Sequence, residues 1–156
     1  MAETSTSDKH EHSPQKRHWL WGGMAAAIAA LVAACSSTPP SAPVKAGSEY
    51  RKEAARHLYD RNPQRIYAGK LPPMLYAVGV LQVELNAKGG VQRLNWLRAP
   101  RHAPEVIAEI ERTVRAAAPF PTPPSGGSKT IYTDTWLWDK SGRFQLDTLT
   151  EGQLGQ

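Results

Sequence analysis

The feature that most constrains the fold is a change of period near residue 100. Before it, Gly79, Leu81, Val83 and Leu85 alternate with Val80, Gln82, Glu84 and Asn86. That is the two-residue period of a half-buried strand. Lys88-Gly89-Gly90 supplies a permissive backbone for a tight reversal, so a second strand over 91–98 is predicted to return antiparallel. After Pro100 the spacing becomes helical: Val106, Ile107, Ile110, Val114 and Ala117 recur on one side, and Glu109, Glu111, Arg112 and Arg115 take the others. Pro104 suits a first turn, and Pro119 ends the helix because it lacks an N–H and crowds the preceding turn. A further β-rich run over 130–139 closes the unit. The expectation is an α+β domain with a small antiparallel three-stranded sheet made of hairpin, helix and strand.

Residues 49–60 (EYRKEAARHLYD) have helix-forming composition, with Tyr50, Ala54, His57 and Leu58 near one face and Arg51, Lys52 and Glu53 elsewhere. They are expected to pack on the sheet as an N-terminal helix that Asn62-Pro63 ends. Residues 65–73 read as an irregular approach to the first strand. Gly69-Lys70 is not a phosphate loop, because the glycine spacing and the following Ser or Thr are both missing. In the last long strand Ile131, Thr133, Thr135 and Leu137 alternate with Tyr132, Asp134, Trp136 and Trp138. Three aromatics and a carboxylate thus share a face, which is either core, a membrane-proximal surface or an exposed recognition strip. Residues 139–142 read as a turn and 143–146 as a short returning strand. Residues 148–156 carry no packing signal and are expected to form a loose tail.

The hairpin with glycine at its turn, the helix, and the word Arg115-Ala-Ala-Ala-Pro-Phe-Pro-Thr-Pro-Pro before a last strand resemble the TonB/TolA C-terminal domain family of bacterial envelope proteins. The resemblance runs from Tyr76 to Phe144, and the Ala118-Pro119-Phe120-Pro121 segment after an amphipathic helix is its most specific part. It implies a TonB C-terminal-like fold. It also implies a function, because domains of this family take an extended peptide beside their last strand. On this sequence the implied peptide-binding edge comprises Ile131, Tyr132, Thr133, Asp134, Thr135 and Trp136.

The N-terminal quarter has a different character. Lys16-Arg17-His18 precedes an uncharged apolar run over 19–34, and the sole cysteine, Cys35, follows. A charged start, a short apolar stretch and small residues before a cut are the parts of a secretory signal. Sixteen residues (19 through 34) fall short of the roughly 20 that a membrane-spanning helix requires. Leu31-Val32-Ala33-Ala34-Cys35 resembles a bacterial lipobox, which implies lipidation at Cys35 after removal of a signal peptide over 1–34. Ser36 in place of Asp implies sorting to the outer membrane rather than the inner one. The Ser/Pro-rich residues 35–48 are expected to form an extended tether, 49–147 the TonB-like domain, and 148–156 the tail. A lone cysteine cannot form an intramolecular disulfide, so packing alone must hold the domain.

The chemistry in the sequence is sparse. After loss of the signal only His57 and His102 remain of the five histidines. No serine sits in a Gly-x-Ser-x-Gly setting, and the carboxylates are scattered without an acid/base pair. His10-Glu11-His12 lies before the cut and lacks a third nearby ligand. No catalytic residue, metal site or cofactor is therefore expected. A formal charge of +5, spread along the chain, argues against nucleic-acid partners. Arg98 and Arg101 flank Pro100 in a basic turn that is either a solvated loop or a contact for anionic headgroups or an acidic partner.

Two functions follow as expectations. One is a lipid-anchored periplasmic binding module, non-enzymatic, that recruits another envelope protein. The other is a TonB-type energy transducer that keeps residues 19–34 as an inner-membrane anchor. Against the second, family anchors carry Ser and His inside the membrane helix, and 19–34 contain neither. The long Pro/Lys spacer is also missing. Dimerisation by strand exchange is compatible with either.

Overall fold

The computed structural model describes residues 42–126 and 128–152. His10-Glu11-His12, the apolar run over 19–34, and Cys35 lie outside the described residues. The elements in order are β1 (Val44–Lys45), α1 (Ser48–Arg61), β2 (Ala77–Leu85), β3 (Val91–Arg98), α2 (Pro104–Ala116), β4 (Thr130–Trp138) and β5 (Phe144–Leu146). Short 3-10 turns at Pro63–Arg65 and Asp147–Leu149 complete the chain's path.

The hairpin forms as its pattern dictates. β2 alternates buried and half-buried residues throughout its length. At the reversal, Asn86 Oδ1 accepts the N–H groups of Lys88 (2.9 Å) and Gly90 (2.8 Å), which locks the loop with a side chain that mimics backbone. Gly89 adopts a φ of 77°, and its carbonyl accepts the Phe120 N–H at 2.9 Å. The Pro-Phe-Pro segment after α2 is thereby pinned to the hairpin turn.

α1 and α2 share one apolar cluster with the buried face of the sheet. Tyr50, Ala54, Ala55 and Leu58 from α1 meet Val106, Ile110 and Val114 from α2, over Leu81, Val83, Leu85, Tyr132 and Trp136. The aromatic face of β4 is therefore core. Trp138 stacks on Phe144 with centroids 5.6 Å apart, and Trp136 packs against the same ring at a tilt, 4.8 Å away. Gly79 is required in β2, because a Cβ there would lie 2.7 Å from the Trp96 ring and 2.9 Å from Pro100. One outward assignment needs correcting: Glu111 accepts the Trp96 indole N–H at 2.9 Å rather than facing only solvent.

The sheet itself departs from the three strands expected. It is mixed and five-stranded, in the order β1-β4-β2-β3, with β5 also on β4. β2 pairs antiparallel with both β3 and β4, whereas β1 runs parallel to β4. β1 arises inside the stretch expected to be tether, where Val44 and Ala46 donate to the carbonyls of Lys129 (2.8 Å) and Ile131 (2.9 Å). The start of the supposed tail is also held. Thr148 N–H bonds Asp134, Arg51 bonds the Thr148 hydroxyl, and the Gly152 carbonyl accepts from Leu71 N–H at 2.8 Å. No described helix is long and apolar enough to cross a membrane.

Candidate functional site

The sequence points to β4, and its hydrogen bonds decide what it can offer. Along one side β4 pairs with β2 over its whole length, from Thr130 opposite Leu85 to Trp138 opposite Ala77. Main-chain groups alternate sides in a strand. Ile131 O bonds Ala46 and Asp139 N bonds Arg143, so the odd-numbered residues direct their N–H and C=O away from β2. β1 fills this outer side at Thr130–Ile131 and β5 fills it at Trp136–Trp138. β4 is thus not the free edge strand that the sequence led one to expect. What stays open among the described residues is its middle, residues 132–135.

The six residues of the expected edge divide by parity. Tyr132, Asp134 and Trp136 turn inward, each 2% exposed or less, and their main chains face β2. Ile131, Thr133 and Thr135 stand half-buried on the opposite face of the sheet, which no described helix covers. Of the two outward N–H groups in the gap, that of Thr135 is taken by Asp134 Oδ1 at 2.9 Å. Among the described residues the Thr133 N–H has no such partner, and it is the one main-chain donor the gap presents.

Asp134 is the organising polar group beneath the gap. Oδ2 accepts the Tyr132 hydroxyl at 2.8 Å, and Oδ1 accepts the N–H groups of Thr135 and Thr148 at 2.9 and 3.2 Å. Burial raises the Asp134 carboxyl above its usual range, and these donors partly oppose that rise. Burial, with the neighbouring Asp134, pushes the Tyr132 phenol well above its ordinary value, so it remains a neutral donor.

Over this cluster runs an open groove of about 290 Å³. Lys45, Ala46 and Arg51 line it from the side of β1 and α1, Thr133, Asp134 and Thr135 from β4, and Gln82, Leu97 and Ile131 from the uncovered sheet face. Leu97 is 57% exposed there. Lys45 and Arg51 are not residues that the sequence singles out, and no local pattern marks them. Lys45 sits in a proline-rich stretch, and Arg51 has the look of a solvated helix position. Arg98, at the start of the basic turn, lies two strands from the gap, its partner Val80 pairing in turn with Thr135.

No protein-family model matches the chain, and no curated protein or solved structure shows significant similarity to it.

Proposed function

We propose that this chain is a lipid-anchored, non-enzymatic protein-binding module of the bacterial cell envelope, TonB-like in its hairpin–helix–strand unit. Its binding site is the open middle of β4, where an extended peptide adds by main-chain hydrogen bonds. The observation that carries this reading is the unpaired stretch 132–135, bounded by β1 and β5, with the Thr133 N–H directed outward. An unpaired strand segment accepts another chain whatever its side chains, and nearby pockets add selectivity.

The anchor is the lipidated Cys35, on the periplasmic side and favouring the outer membrane. Because β1 begins at Val44, the free tether on this reading is residues 36–43, which reach about 25 Å when extended. The domain then works close to its membrane. Cys35→Ala is expected to block maturation and leave a larger precursor that takes up no palmitate analogue in metabolic labelling, while the wild type is labelled. A full-length, unlabelled wild type would overturn the lipoprotein and restore the inner-membrane anchor.

The binding mode has its own test. A random dodecapeptide library is panned on the full-length protein and the affinity of selected peptides is measured by calorimetry. Thr133→Pro removes the outward donor and is expected to weaken binding about tenfold, while Thr133→Ala leaves it nearly unchanged. Thr135→Pro should matter less for binding, since that N–H is already bonded to Asp134. Circular dichroism must first show each variant folded. Wild-type affinity in folded Thr133→Pro would exclude edge pairing.

A further inference from the structure

Arg51 is unusual among the described cations of this domain. Its Nη2 donates to the Thr148 hydroxyl at 3.0 Å, but its Nε is buried and has no hydrogen-bond partner among the described residues. A buried donor left unpaired costs free energy, so such a group points to something that completes it. The described ion pairs are Lys52–Glu49, Arg65–Glu109, Arg112–Glu109 and Lys129–Glu84. Neither Arg51 nor Lys45 takes part in one of these, yet both line the groove at the β4 gap.

The carboxylate in the groove does not answer them. Asp134 is 2% exposed, and both of its oxygens are already engaged by Tyr132, Thr135 and Thr148. Two cationic groups therefore line a groove that also offers the Thr133 N–H. On the uncovered sheet face Ile131 stands beside its register partner Lys45, and exposed Leu97 stands farther along, near the row of Thr135.

We infer that the groove selects an extended peptide segment bearing an acidic residue, whose carboxylate pairs with Arg51 and Lys45 while its backbone meets Thr133 and an apolar neighbour covers Ile131. Arginine presents a planar fork of donors that matches a carboxylate. The partner is thus a protein with an exposed acidic, partly apolar strand segment. This rests on the edge-binding reading above and specifies the ligand for that same site.

The test uses the same dodecapeptides selected on the full-length protein. They are expected to share Asp or Glu at one fixed position beside an apolar residue. Changing that Glu to Gln in the peptide should weaken binding to the wild type about tenfold. In Arg51→Gln the two peptides should bind within about twofold of each other, and Arg51→Lys should retain part of the preference. The peptide-side swap needs no change in the protein, so the result stands even if Arg51→Gln fails to fold. Selected peptides with no acidic position, or equal affinity of the Glu and Gln forms for the wild type, would overturn the inference and leave edge pairing intact. Failure of the folded wild type to select any peptide would overturn both.

Discussion

A single methyl group at Gly89 is expected to destabilise the domain by about 2–5 kcal/mol. Two costs combine there. Gly89 has a φ of 77°, a left-handed conformation that costs an ordinary residue roughly 1–2 kcal/mol. A Cβ at this position would also stand 1.9 Å from the Phe120 carbonyl oxygen, and that atom is backbone, held by the Phe120 N–H to Gly89 O bond. Gly142 separates the two costs. It has a similar φ of 81°, and a Cβ there would meet nothing within 4 Å, so Gly142→Ala should carry only the conformational cost. Calorimetric melting of both variants checks this, with Gly89→Ala falling well below Gly142→Ala. Equal melting points would mean that the Pro-Phe-Pro segment does not bear on the hairpin turn.

Ile110→Ala is expected to cost about 2–5 kcal/mol and to lower the melting temperature by on the order of 10 °C or more. Ile110 is 1% exposed and belongs to the cluster that contains Leu81 and Val83. The transfer free energy of the lost atoms and the cavity left behind both contribute. Arg115→Ala, on the exposed side of the same helix, should change stability by less than about 0.5 kcal/mol. Glu111→Ala falls between, since it strands the Trp96 indole N–H. A denaturation series of the three variants that did not rank in this order would show the helix phase to be wrong.

The long periodic elements are legible in the sequence because each carries its own signal. Alternation or helical spacing over eight or more positions places β2, β3, α2 and β4 to within two residues at either end. β1 is not legible at all. Two residues cannot show a period, and Val44-Lys45 looks like tether until Lys129 and Ile131 supply carbonyls for Val44 and Ala46. That omission also misplaces the edge. A strand read as last in the chain is last in the sheet only if nothing earlier or later comes back to it, and here β1 and β5 both do. The same long-range pairing hides Arg51 and Thr148, which lie 97 positions apart and meet beside Asp134. The alternation of β4 puts Tyr132, Asp134 and Trp136 on one face but does not tell that the face is core; the apolar residues of α1 and α2 packed over it decide that.

The parallel pairing of β1 also has a mechanical side. Tension arriving along the chain from residues before Val44 reaches β1 before any other described element. There it meets the hydrogen bonds from Val44 to Lys129 and from Ala46 to Ile131. α1 behind it is held far more firmly, by Tyr50, Ala54, Ala55 and Leu58 in the core. A pull therefore strips β1 first and leaves the globule intact, as a fuse yields before the circuit it protects. The released residues 44–47 add roughly 13 Å of slack at about 3.3 Å each. The same event uncovers β4 from Thr130 to Thr135, lengthening the open edge from four residues to six. Load on the chain and exposure of the β4 edge are thus mechanically in series.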